Sequence, residues 1–198
     1  MMGKFLMMIT DILLITINLM GQETEAFTDP RDNKTYKTII IGTQTWMAEN
    51  LAFKTQDYCW AYKNDTNNVH TYGYLYNVVM ARFVCPSGWH LPDETEWTIL
   101  TEYLGGDSVA GSHLKDTLHW QSPNIGATNK SGFTALPGGM RTFYQNSTKG
   151  VFRSNGFEGY WWCFPNLARS MYYNRKEVIR NIVENINIGL SVRCVKDK

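Results

Sequence analysis

A chain of 198 residues with 43% hydrophobic and 14% aromatic content can fill one sizeable core, which excludes a disordered tail. Only 19% of residues are charged, the formal net charge is +1, and no Lys/Arg run exceeds two residues. The basic footprint that a phosphate backbone demands is therefore missing, and no nucleic acid partner is expected. Seven Trp, eleven Tyr and nine Phe favour a mostly β or α+β domain over a helical bundle.

The N-terminus reads MMGKFLMMITDILLITINLMGQ: one Lys, an apolar stretch from Phe5 to Met20, then small and polar residues. That is the layout of a secretory signal peptide over residues 1–22, and sixteen residues are short for a span of hydrocarbon. Asp11 and Asn18 interrupt the stretch, and a buried or interfacial helix is the alternative. No Cys stands near the cleavage point, so no lipid-anchored N-terminal Cys is encoded. Residues 23–198 then form a single exported domain, extracellular, on the cell surface or periplasmic, with no membrane contact after signal removal. Export makes Cys59, Cys85, Cys163 and Cys194 disulfide candidates with three ways to pair. CxxC spacing is absent, which argues against a zinc ribbon or a thioredoxin-type centre.

Residues 23–34 are polar and turn-rich, and YKTIIIGTQTWMAENL then alternates β-branched and aromatic residues around Gly42. This predicts a hairpin with its turn at Gly42 to Gln44. Residues 54–72 read as loop. In LYNVVMARF (75–83), Leu75, Val78, Val79 and Arg82 stand at helical spacing, while the Val pair leaves a strand open.

CPSGWHLPDETEW (85–97) gathers Cys85, His90 and three acids, yet helix signals account for it. Asp93 and Glu96 form a capping box, acids suit the positive first turn, and Trp97, Leu100 and Leu104 share a face that ends at Gly105. The spacing predicts a helix over 94–104. A metal would need His90 to converge with these acids, but it precedes the helix, so no metal is expected. After Gly105 and Gly106 the chain becomes loop-like, and strand candidates follow at 133–136, 160–164, 168–173, 178–183 and 190–195. No internal repeat or interdomain linker is visible.

Catalytic patterns are missing. Ser108 and Ser131 lack the GxSxG elbow, and His70, His90, His113 and His119 have no recognisable Asp or nucleophile in register. Cys163 is better read as a disulfide or buried thiol than as a nucleophile, and YLGGDS and LPGGMR lack the ending of a phosphate loop. Neither enzyme activity nor a cofactor is expected.

The order GTQTWMAENL, YGYLYNVVMA, CPSGWHLPDETEW, SPNIGATNKSGFTALPGGMR, GYWW and GLSVRCVKD resembles the Fibrobacter succinogenes major paralogous domain, a family of exported bacterial domains of uncharacterised function. The resemblance spans about residues 28–197. That family looks like a C-type lectin-like fold, and LPDETEW is similar to the LPTEAEW segment of the formylglycine-generating, sulfatase-modifying enzymes. The architecture implied is α+β: two helices packed on small antiparallel sheets, with a long loop region that often carries ligand sites.

The resemblance also implies a disulfide between Cys85 and Cys194, closing about 110 residues and contributing roughly 4 to 5 kcal/mol. The family often has a second Cys after the one matching Cys59, which is absent here, and Cys163 stands where Ser is common. Cys59 therefore pairs with Cys163, or both are free. Activities do not follow the fold. A lone Cys194 cannot supply the sulfatase-modifying Cys pair, and Ser122-Pro123-Asn124 with Trp161-Trp162-Cys163 lacks the carboxylates of a calcium lectin site.

The expected function is an exported, non-catalytic binding module for a glycan or protein. In MRTFYQNSTKGVFRSNGFEGYWW, aromatics interleave with Arg and Asn, which makes Arg141, Tyr144, Tyr160, Trp161 and Trp162 candidate ligand residues. The competing reading places Phe152, Tyr160 and the Trp pair in the core, although adjacent strand residues should leave one Trp facing outward. A structural or adhesive surface protein is the alternative, and a degenerate sulfatase-modifying relative is the least favoured.

Overall fold

The computed structural model describes residues 24–143 and 150–198. The expected signal peptide over 1–22 and the candidate Tyr144 lie outside the described residues.

Strands β1 (Thr24–Thr28), β2 (Thr35–Ile41) and β3 (Gln44–Met47) form an antiparallel meander. Ile41 pairs with Gln44, so Gly42 and Thr43 make the expected turn. Residues 54–72, read as loop, carry β4 (Cys59–Trp60), a 3-10 turn (Tyr62–Asn64) and α1 (Asn67–Tyr72). The helix starts where the Asp65 carboxylate accepts the Asn67 N–H, a local signal hidden among other polar residues. In 75–83, both readings hold in part: β5 (Leu75–Tyr76) ends at Asn77, whose side chain accepts the Met80 N–H and starts the one-turn α2 (Val78–Ala81).

After β6 (Trp89–His90) comes α3 (Glu94–Tyr103), with both capping-box bonds formed: Glu96 N–H donates to Asp93 and Asp93 N–H to Glu96. Gly105 leaves the helix at a φ of +97°. The chain does not then turn to loop, because α4 (Asp107–Leu114) follows at once. Its apolar periodicity is weak, and it is buried where residues 176 and 177 cross Gly111. Lys115 to Ala135 makes only a single bridge, so the strand expected at 133–136 does not form. The half-exposed hairpin of β7 (Met140–Phe143) and β8 (Gly150–Arg153) lacks the alternation that would mark it in sequence. The last strands are β9 (Glu158–Cys163), β10 (Leu167–Tyr172), β11 (Ile179–Ile182), β12 (Leu190–Ser191) and β13 (Val195–Lys196).

Among the described residues, five strands make one sheet in the order β1-β2-β3-β13-β6, and six make a second in the order β11-β10-β9-β12-β5-β4. The fold is α+β, and its pairing is antiparallel apart from β9 beside β12 and isolated bridges. Strand β9 runs through the interior with an apolar cluster on each face. Trp162 packs with Tyr36, Leu51, Tyr76 and Val192, and Trp161 with Trp46, Trp97 and Phe133. Alternation does send the two indoles to opposite faces, but both faces are covered. Trp161 and Trp162 are therefore both fully buried, which corrects the expectation that one faces outward and removes them as stacking platforms for a ligand.

Cys85 and Cys194 are joined in a disulfide that closes a separation of 109 residues. Cys59 and Cys163 are both free, which settles the second pair as unformed. Strands β12 and β5 stand between β9 and β4, so the two Cys are three strand spacings apart, roughly 14 Å. That is about twice the Cα separation a disulfide spans.

Candidate functional site

A cleft of about 440 Å³ opens between the meander, the end of α1 and the irregular segment that follows α4. Lys34 and Lys37 line it from the start of β2, Glu49 and Asn50 from the segment after β3, His70 and Thr71 from α1, and His119 with Thr134 from the far wall. The α1 wall is brought close by Gly73. Its φ is +71°, and a Cβ there would stand 2.6 Å from the Leu51 carbonyl oxygen, so only glycine allows this approach. The Tyr74 N–H donates to that same carbonyl at 3.0 Å.

The floor is a buried polar network centred on Asn50, which is 4% exposed. Its Oδ1 accepts from Trp161 Nε1 at 2.9 Å and from Arg193 Nη2 at 2.8 Å, and its Nδ2 donates to the Tyr72 carbonyl at 2.9 Å. Arg193 also donates to the carbonyls of Met47, Phe133 and Thr134. Desolvation pulls its pKa down to about 9, so the fully buried guanidinium stays charged at neutral pH among oxygen acceptors. One cation thus ties the meander to the far wall. The cleft is held open by a rigid floor, the preformed state that favours binding.

On the far wall, His119 Nδ1 lies 2.7 Å from the Asp116 carboxylate, which also accepts the N–H groups of Leu118 and His119. Burial raises the Asp116 pKa, but these bonds outweigh it and hold the carboxyl below its ordinary range. The contact fixes the ring and leaves Nε2 as the nitrogen able to meet a ligand. Glu49 accepts the Lys37 backbone N–H at 2.8 Å, which holds its carboxylate against β2.

Three candidate nucleophiles, Cys163, Ser131 and Thr134, are buried or engaged. Burial pushes the Cys163 thiol up to about 12. The Ser131 hydroxyl donates to His113 O and the Thr134 hydroxyl to Gly132 O.

The remaining sequence candidates fall elsewhere. The Arg141 guanidinium stacks 4.1 Å from the Trp60 ring and 4.7 Å from Phe143. Tyr160 lines a separate recess of about 270 Å³ with its neighbour Met140, and its hydroxyl donates to Glu158 at 2.7 Å. Residues 140 and 141 point to opposite faces of β7, so Arg141 and Tyr160 are not brought together. His90 does meet acids, Asp197 at Nδ1 (2.6 Å) and Glu96 at Nε2 (2.9 Å). They sit at opposite edges of the ring and do not converge on one point. Among the described residues, no group of three His, Cys, Asp or Glu side chains is placed to hold a metal.

Sequence reading missed the cleft. The Asp-x-x-His spacing of Asp116 and His119 was the available local signal, since an Asp can fix a ring three residues on. Nothing local links Lys37 to His70.

Residues 39–196 match the family model of the Fibrobacter succinogenes major domain. The chain belongs to this family. No curated protein and no solved structure matches it. In this Fibrobacter succinogenes major domain, the cleft walls from Glu49 to Thr134 lie within the matched span, whereas Lys34 and Lys37 precede it.

Proposed function

We propose that this protein is an exported, non-catalytic binding module of C-type lectin-like architecture, and that its ligand site is the cleft floored by Asn50, which the buried Arg193 anchors. The observation that carries the reading is a concave site of about 440 Å³ whose floor is locked by buried hydrogen bonds while Lys37, His70 and His119 at its walls are exposed. Its lining is mostly apolar surface with Lys, His, Asn and Thr groups set into it, which suits a ligand that offers both apolar faces and hydroxyls, as a saccharide does. Absence of catalysis is supported by the engagement of the Ser131 and Thr134 hydroxyls and the burial of Cys163. Export is supported by the Cys85–Cys194 disulfide together with the apolar stretch from Phe5 to Met20.

A glycan array with the disulfide-intact protein, followed by titration of each hit against His70→Gln, tests the proposal. Retention of a saccharide that His70→Gln weakens supports it; a hit indifferent to every cleft substitution moves the site elsewhere.

A structural or adhesive surface protein is the second reading. Val79 and Phe83 are exposed on either side of Arg82, whose guanidinium lies 5.7 Å from the equally exposed Phe164 ring. Such a patch suits self-association. Concentration-dependent sedimentation that Phe83→Ser abolishes, with a silent array, favours it.

A further inference from the structure

The cleft is lined by more ammonium than carboxylate groups, and we propose that the site selects a carboxylate-bearing saccharide, a uronate, over a neutral sugar. The inference rests on the cleft being the binding site. Two ammonium groups, Lys37 from β2 and Lys34 from the residue before it, line one wall, while His70 from α1 and His119 from the far wall bring imidazole nitrogens. Among the described residues Glu49 is the one carboxylate lining it, and an oxygen of that group already accepts the Lys37 N–H. Asp116 stands behind His119 and accepts from Nδ1, so Nε2 is the nitrogen turned toward a ligand, an acceptor in the neutral ring and a donor only in the imidazolium.

Position strengthens the bias. Cationic groups lining a concavity focus their field into it, and a carboxylate entering there meets both ammonium groups at once. A neutral sugar can hydrogen-bond to Thr71 and the histidines but gains nothing from the charges of Lys34 and Lys37. Lys34 is also held in place, its ammonium lying 5.3 Å from the centroid of the buried Tyr36 ring.

Titration of the 15N-labelled, disulfide-intact protein with trigalacturonate and with neutral galactotriose, at low and high salt, tests this. The expected result is that trigalacturonate shifts the amide signals of Lys37, Thr71 and Thr134, binds at least about tenfold more tightly than galactotriose, and weakens as salt rises. Lys37→Ala lowers its affinity about fivefold and Lys37→Arg retains it, since one screened charge contact is at stake. Lys37 is exposed, so neither variant threatens folding. Equal affinity for the two sugars overturns the charge selectivity and leaves the cleft as the binding site. Silence with both, or shifts confined to other surfaces, overturns the binding site and the selectivity together.

Discussion

Asn50 makes more interior bonds than its size suggests, and its removal shows why buried polar groups are structural. Asn50→Ala strands the Trp161 indole N–H, the Tyr72 carbonyl and part of the Arg193 guanidinium without partners. A loss on the order of 3 kcal/mol is expected, read as a lowered thermal midpoint. Trp162→Ala empties a fully buried position and removes the indole bond to the Tyr76 carbonyl, which costs about 4 kcal/mol. Its effect belongs to denaturant midpoints and not to ligand affinity, a distinction that burial alone makes. His90 supplies a pH dependence. Desolvation lowers its pKa, but the bonds to Asp197 and Glu96 outweigh that and raise it above the ordinary 6.5. A raised folded pKa stabilises fully below the unfolded value and the gain fades as pH climbs through the folded one. Midpoints of wild type and His90→Gln should therefore differ most below pH 6.5 and converge at alkaline pH.

Helix α3 is the element best explained by its own residues. Asp93 and Glu96 exchange both capping bonds, and Trp97 and Leu100 enter the core one turn apart. Asp93→Ala should cost about 1 kcal/mol in urea unfolding, the usual worth of an N-cap. Helix α4 shows the opposite case. Gly106 precedes it without a side-chain cap, its apolar stripe is thin, and it is helical because Ala110 and Leu114 meet the core while the 176–177 segment covers Gly111. Tertiary burial outweighs propensity there. Strands divide in the same way. The meander's β2 carries visible alternation, whereas β7 and β8 are half-exposed throughout and leave no periodic mark.

Across the whole molecule, the disulfide links the segment before β6 to the one before β13, the latter at the end of the matched family span. Cys85→Ala with Cys194→Ala should lower stability by about 4 to 5 kcal/mol, since the loop released is long. Denaturant melts of the double variant check this, and the intact bond in non-reduced mass maps is the matching observation. The cleft depends on the same scale: its walls come from residues 34–50, 69–73 and 119–136, and Arg193 joins the first to the last.

Local rules reach only a few residues, and that limit divides what could be read from the chain. The capping box, the turn after Ile41 and the aromatic, strand-rich α+β character follow from neighbours in sequence, and the family is legible because its motifs are local too. The fate of Trp161 and Trp162 is not local: alternation places them on opposite faces, but only the second cluster makes both faces interior. Lys37, His70 and His119 share a cleft because sheet order, the Gly73 approach and the Arg193 network bring distant segments together. Charge in a cleft has meaning only once its walls exist.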